Sequence, residues 1–449
     1  MLTHPDPVAS TPAGGNSDRR RLLVITYHFP PDGAVGGMRW AGLAKYLAQL
    51  GWEVWVLTAA PAGPAGPDGV TVESCPPGRT FSDRYFRLRD LLRGTASAAE
   101  PPHDGAANPA EPDPSHLLDR LRAEGATLLG MMDEGRGWVL RAAVRARRLI
   151  ARVRPHVVVS TSPPHLVHLA AWLATRGRRL RWLVDLRDPW AGPVPSGWRS
   201  HPYLRSRLTW GTIARLERLV VRSASGVVTT TPELAEALRA RYPQTAVSWV
   251  SNAADRELLP CRSRSPYPGL SIAHVGTLYG GRDLTPVLRA LRVFLDRHPE
   301  AASDGTRLRC AGHAEGFRAA GLQREIAALH LGRHVDLLGV VPRGEAVDLL
   351  ARSQLAVVLA QEQEVQVPAK LYEALATGIP TLVITDRDSA SGREAARLGA
   401  AVVEPHDVDA IVGVFASVWS DGEGSFGRGQ IPVDYRDVAA PLSELLGSS

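Results

Sequence analysis

Hydrophobic and polar positions along this chain switch repeatedly between two patterns. Short, nearly continuous apolar runs are each followed by a stretch in which apolar residues return every three or four positions. Arg21–Thr26 (RLLVIT) reads as a buried strand, and the segment through Pro30, Pro31, Gly33, Gly36 and Gly37 turns into a helix over 38–50. Gly51 caps that helix, and 52–58 (WEVWVLT) is the next strand. Strand, glycine loop, helix and strand in this order open a parallel α/β domain. From Trp138 to Val153 the residues Val139, Ala142, Ala143, Ala146, Leu149, Ile150 and Val153 share one helical face, with Arg141, Arg145, Arg148 and Arg152 on another. That face packs on the sheet or, as the alternative, meets a membrane. The strand HVVVS and the helix of TSPPHLVHLAAWLA follow, then the strand of RWLVDLRDPW, a helix over 204–224 containing Glu217, the strand GVVTTT, the helix PELAEALRARY and the strand VSWV.

The pattern begins again after LPCRSRSPYPG, at 259–269, which has linker composition. LSIAHV, LRCAG, HVDLLGVV, LAVVLA and AAVVEP are strands, a helix begins near Leu284, and DYRDVAAPLSELL reads as a last helix that crosses back to the first half. The expected organisation is a disordered start over 1–20, a first domain over 21–258, a linker over 259–269, a second domain over 270–425 and a returning segment over 426–449. The proline-rich segment 94–114 cannot bury enough apolar surface to order itself and is expected to be a mobile insert. FSDRYFRLRDLLRG before it reads as a docked surface helix, with a membrane or acceptor contact as the alternative.

The stretch over 365–385, VQVPAKLYEALATGIPTLVIT, carries the chemistry. A proline at the helix start is followed by good helix formers, Gly378 stops the helix, and 381–385 is a buried strand. A helix start presents free N–H groups and a positive dipole end to an anion, and Lys370 stands in the same turn. Only two of the 52 basic residues are lysine, Lys45 and Lys370. A lysine kept against that bias points to a place where a compact ammonium fits and a guanidinium does not, unless its survival is chance.

PAKLYEALATGIPTLVIT resembles the donor-site segment of nucleotide-sugar glycosyltransferases of the GT-B fold, in the large retaining family 4 and its bacterial polysaccharide and natural-product subgroup. The resemblance implies an α/β GT-B architecture, two doubly wound Rossmann-like domains facing each other across a cleft. It gives Glu373 the ribose hydroxyls, and Pro368, Ala369, Leu371 and the helix start the diphosphate. Gly36 and Gly37 in the first loop, and Gly276 and Thr277 in the corresponding loop of the second domain, would approach the donor phosphates. For Gly36 and Gly37 the alternative is a tight turn alone. Val341, in the Val340–Pro342 loop, would pack on the nucleobase. SPPH and DLRDPW resemble cleft-lining loops of the same subgroup. Arg282, Lys370, Asp188 and His165 are thereby candidates for the catalytic centre, and Arg39, Asp185 and Arg187 for the acceptor side. A purely structural Arg187–carboxylate pair is the alternative. The chain departs from the family at Val365, where relatives carry a second glutamate, and at Thr277, where they often carry arginine.

Charge and cysteine content narrow the partners. A net charge of +6 and a pI near 9.5 favour an anionic partner. Without a block of like charge, zinc-finger spacing or an RNP-like aromatic strand, nucleic acid ranks last. Cys75, Cys261 and Cys310 lie far apart, and His165 and His168 have neither a third ligand nor an HExxH pattern, so free thiols and no metal are expected. No signal core and no run of about 18 apolar residues is present, which points to the cytoplasm, with peripheral membrane contact left open. The expected activity is transfer of a sugar from an NDP-sugar, used as a substrate with no further cofactor, to a hydroxyl or amine of a small-molecule, natural-product or glycan acceptor with retention. The alternatives are an NDP-sugar epimerase of the same fold and a non-catalytic GT-B partner protein.

Overall fold

The computed structural model describes residues 19–31, 35–61, 63, 66–78, 136–191, 207–259, 265–278, 281–314, 316–420 and 430–448. The expected mobile insert at 94–114, the basic aromatic segment before it and Cys261 lie outside the described residues.

Two parallel sheets, each covered by helices on both faces, make up the molecule. The first has seven strands in the order β3-β2-β1-β4-β5-β6-β7: β1 Arg21–Thr26, β2 Glu53–Thr58, β3 Val70–Ser74, β4 Val157–Ser162, β5 Arg181–Leu186, β6 Gly226–Thr229 and β7 Val247–Trp249. Among the described residues its helices are α1 Val35–Gln49, α2 Arg136–Val153, α3 Val167–Thr175, α4 Arg207–Ser223 and α5 Pro232–Arg241. The second sheet has six strands in the order β10-β9-β8-β11-β12-β13: β8 Ser271–Val275, β9 Arg307–Ala311, β10 Val335–Gly339, β11 Leu355–Leu359, β12 Thr381–Ile384 and β13 Ala401–Val403. With it go α6 Thr285–Arg297, α7 Pro299–Ser303, α8 Gly316–Ala328, α9 Arg343–Ala351, α10 Ala369–Ala376, α11 Ala390–Arg397 and α12 Val408–Ser420.

The period-two geometry of a strand sends neighbours to opposite faces, and here both faces are cores. Leu22 and Val24 pack with α1 residues such as Trp40 and Leu43, whereas Leu23 and Ile25 pack with Trp138, Leu149 and Ile150 of α2. The apolar face of α2 is therefore spent on the sheet, as the first of the two expectations held. In the second sheet Ile272 and Val357 face α6 and α12, while Ala273 and Val358 face α9, α10 and α11.

The last helix, α13 Tyr435–Gly447, leaves the second unit and packs on α1. Its start is fixed by a capping box on Asp434, and its face adds Tyr435, Val438, Ala439, Leu442 and Leu446 to the core under β1. The outgoing and returning segments pair with each other: Ala254 N–H donates to the Val433 carbonyl at 3.0 Å, and Tyr435 N–H to the Ala254 carbonyl at 3.0 Å.

Two local readings change. β3, which is not among the strands read from the sequence, pairs in register with β2 (Val54 with Val70). Gly36 and Gly37 lie in the first turn of α1 rather than in a loop before it. A Cβ on Gly37 would stand 2.9 Å from the Phe29 Cα, so glycine at 37 lets the helix start lie against the chain that enters it.

Candidate active site at the facing strand ends

In an open α/β sheet, ligands bind beyond the carboxyl ends of the strands where the strand order reverses. These points fall between β1 and β4 in the first sheet and between β8 and β11 in the second. The motif residues emerge there, because α10 follows directly from the chain leaving β11.

Within α10, Glu373 is 6% exposed, and its two oxygens are each claimed by a cation. Lys370 Nζ donates to Oε2 at 2.7 Å, and Arg343 Nη1, from the first turn of α9, donates to Oε1 at 2.9 Å. Burial by itself raises the Glu373 pKa, but the Lys370 and Arg343 charges outweigh it and hold the carboxyl below its usual value. Each oxygen keeps capacity for a second donor, so hydroxyl groups could add to the ion pairs without displacing them. Arg343 has no counterpart in the sequence reading. An arginine just past Pro342 is an ordinary surface residue by pattern, and only the approach of α9 to α10 gives it a partner. Pro368 stands at the N-cap with Ala369 and Lys370 in the first turn, while Leu371 is wholly buried beneath it. Leu371 therefore serves as packing and Ala369 as part of the helix start.

The loop after β8 is tied to the loop after β11. Gln361 Nε2 donates to the Asp283 carbonyl at 2.6 Å, and Arg282 Nε and Nη2 lie 3.2 and 2.9 Å from the Gln363 amide oxygen in the orientation that satisfies both side chains. Arg282 thus stands at the same switch point as Lys370. Gly276 lies at the end of β8 against Gly312: a Cβ on Gly312, at φ +145°, would fall 2.0 Å from the Gly276 carbonyl oxygen. Thr277 and Val341 are partly exposed at this rim.

Across from them, His165 precedes α3 and stacks on Trp190 with centroids 5.3 Å apart. Its Nε2 lies 3.2 Å from the Asp188 carbonyl oxygen and therefore carries the proton. Asp188 Oδ1 accepts from Gln366 Nε2 of the second domain at 2.5 Å. Thr231 Oγ1 donates to the Val365 carbonyl at 2.6 Å, and the Val365 side chain packs against the first core. The residue that departs from the family motif is thus an apolar contact between the two domains. Gly36 faces the same side, 2.8 Å by its carbonyl from Arg187 Nη1.

The three acceptor-side candidates are buried residues of the first domain. Arg39 is 2% and Asp185 1% exposed, and they face each other inside the first domain. Asp185 accepts from Trp40 Nε1 and Thr161 Oγ1, both at 2.7 Å, and lies 3.5 Å from Arg39 Nε. Arg39 also donates to the carbonyls of Val250 and Ser251 and to Asn252, which locks α1 to the exit of β7. Arg187 is buried and donates to the carbonyls of Ser162 and Gly36. The ion pair to Asp185 is made by Arg39, and the hydrogen bonds of Arg187 go to carbonyls. A buried charge has to be matched wherever it sits, and each of these residues has polar partners inside the first domain.

Among the described residues no group of three or more His, Cys, Asp or Glu is placed to hold a metal ion, and no helix is long and apolar enough to cross a membrane.

Two family models match the chain in tandem: a glycosyl transferase 4-like domain over residues 95–253 and glycosyl transferases group 1 over residues 274–421. No curated protein matches in sequence. Solved structures that share the fold include sucrose-phosphate synthase from Thermosynechococcus elongatus, with a TM-score of 0.61 at 14% identity over 95% of this chain and 98% of that one. Anabaena HepE, solved in complex with UDP and glucose, gives 0.61 at 13% identity over 96% and 100%. Trehalose-6-phosphate synthase OtsA gives 0.62 at 13% identity over 96% and 99%. The tandem matches take up about two thirds of the residues, on a two-sheet architecture that these structures share nearly end to end. The chain belongs to the family-4-like nucleotide-sugar glycosyltransferases of the GT-B fold.

Proposed function

We propose that the protein transfers a sugar from a nucleoside-diphosphate sugar to a hydroxyl or amine of a small-molecule or glycan acceptor, with retention at the anomeric carbon. The observation that carries this reading is the buried Glu373 carboxylate, held ionised between Lys370 and Arg343 at the start of α10. An ionised carboxylate at that place is an acceptor for the two ribose hydroxyls of the donor. The diphosphate then lies over the free N–H groups at the start of α10, between Lys370 and Arg282.

The bond from the anomeric carbon to the diphosphate oxygen breaks, and a bond to the acceptor oxygen or nitrogen forms on the same face. The acceptor proton passes to the departing phosphate. Charge grows on the diphosphate as it leaves, so fixed cations and backbone amides lower the barrier by meeting it without reorganisation. They meet that charge without a metal ion. His165 and Asp188, at the opposite strand ends, are proposed to border the sugar and acceptor.

Incubation of the full chain with UDP-, GDP-, dTDP- and ADP-sugars, with release of the nucleoside diphosphate followed over time, tests the reading. Slow donor hydrolysis is expected with one of them. Binding without any release of diphosphate would favour a non-catalytic GT-B protein, and a sugar epimerised without acceptor would favour an epimerase.

A further inference from the structure

A second feature of the same domain has no part in the ion pairs above. A pocket of about 230 Å³ opens at the carboxyl ends of β8, β9 and β10 beside α8, with His274, Gly276, Cys310, Gly312, Gly339 and Val340 in its wall. Among the described residues no Lys, Arg, Asp or Glu lines it, which suits an uncharged flat group better than a phosphate. Its three glycines leave bare backbone that a ring can approach closely.

One polar side chain stands out in that wall. His274 is 4% exposed, and its Nδ1 lies 3.0 Å from the Val357 carbonyl oxygen. A carbonyl only accepts, so Nδ1 carries the proton and Nε2 the lone pair. Nε2 has no hydrogen-bond partner among the described residues. Nε2 and Cε1 lie 3.5 Å from the point a Gly276 Cβ would occupy, so the ring edge with the lone pair is turned toward the strand end where the pocket lies. Burial pushes the ring down to about 4, with Arg282 and Lys370 adding to that and the Val357 bond opposing it, so the ring is neutral at pH 7. Five other buried polar atoms of the described residues also lack a partner, His168 Nε2 among them; what sets His274 apart is its place in a pocket wall beside the candidate ligand site, where a ligand donor can supply the missing bond.

We propose that His274 Nε2 reads the base of the nucleotide donor by accepting a hydrogen bond from a ring N–H, so that the pocket selects uracil, thymine or guanine over adenine and cytosine. This rests on the nucleoside-diphosphate reading above. Uracil and thymine at N3, and guanine at N1, present a ring N–H. Adenine N1 and cytosine N3 present a second lone pair to the imidazole, and a polar mismatch of that kind discriminates more strongly than a difference of size.

Titration calorimetry of the full chain with UDP, dTDP, GDP, CDP, ADP and inorganic pyrophosphate tests the proposal. A member of the ring N–H group is expected to bind at least about tenfold more tightly than ADP and CDP, a difference of one hydrogen bond. Methylation of the ring nitrogen of the preferred base is expected to remove that advantage in the unaltered protein. In His274→Leu and His274→Asn, each checked for its thermal transition, the preference is expected to shrink to within about threefold while pyrophosphate binding is unchanged. Equal binding of all the nucleotides, or an N-methylated base that binds as well as its parent, would overturn this proposal alone. Failure of every nucleoside diphosphate to bind would overturn it together with the donor reading.

Discussion

The two lysines illustrate how residue chemistry is decided by neighbours. Lys45 lies 3.0 Å from Asp255 and 2.6 Å from Glu257, on the segment that leaves the first domain, and Lys370 lies 2.7 Å from Glu373. Both reach a carboxylate at close range, where a compact ammonium with three donors suits better than a planar fork. Lys370→Arg should therefore crowd α10 and lower kcat/KM with the identified donor, whereas Arg282→Lys, on a loop, should be milder; equal loss in both would discount the size argument. Glu373→Gln keeps the shape and removes the charge. It should weaken nucleotide binding by about tenfold to a hundredfold, the worth of charge-assisted bonds of roughly 1.5–3 kcal/mol. It should also leave Lys370 and Arg343 without a counter-charge, at a cost discounted to about 1 kcal/mol because both are partly exposed. Unchanged affinity by calorimetry would remove Glu373 from the ribose.

At the scale of elements, close approach between α1 and α13 holds the returning chain. A Cβ on Gly42 would fall 2.2 Å from Tyr435 Cδ2, and Tyr435 is buried. Trp52 Nε1 donates to Ser443 Oγ at 2.8 Å, and Arg181 donates to the carbonyls of Leu445 and Leu446 at the end of α13. Gly42→Ala should thus overpack the interface by about 1–3 kcal/mol. The melting temperature should fall by several degrees, with α13 trimmed first in limited proteolysis. A variant as resistant as the parent would show that Tyr435 can swing aside at little cost. Nothing in the helical pattern of either segment announced this contact, because glycine in a helix reads as a weak propensity and not as a docking surface.

For the molecule as a whole, the described residues join the two domains through a few polar side-chain bridges from loops and helix starts. Thr231 to the Val365 carbonyl, Gln366 to Asp188 and Arg393 to Glu233 bridge them, with Val365 against the first core. Val365→Glu, which restores the family's usual residue, puts a carboxylate against that core. The domains should separate, and small-angle scattering should report a larger radius of gyration; an unchanged radius would mean the bridges hold without the apolar contact. Whole-molecule stability should also depend on pH through His274 and His168. Burial lowers both, His274 to about 4, with His165 and Arg187 adding to the effect at His168. The unfolded chain takes up protons near pH 6.5 and the folded one does not, so this stability is present above pH 6.5 and is lost as pH falls toward 4. For His274 the loss is roughly 3 kcal/mol. Denaturant unfolding at pH 7 and 4.5 should show it, and a His274→Leu variant should show a smaller slope.

The sequence by itself determined the strand and helix order that defines the fold class, because a strand buried on both faces must be continuously apolar and its covering helix must repeat every 3.6 residues. It also placed Lys370 and Glu373 at the start of one helix after β11. Their spacing of three residues guarantees that they are neighbours wherever that helix goes. Tertiary structure alone decided the partners separated by long stretches of chain. It brought Arg343 to Glu373, turned Asp185 and Arg39 inward to each other, set Val365 against the other domain and left His274 Nε2 unpaired in a pocket wall. Periodicity states which face of an element is buried, but it carries no record of what another element brings to that face. A charge on a buried strand looks the same in sequence whether it awaits a ligand or already has its counter-ion.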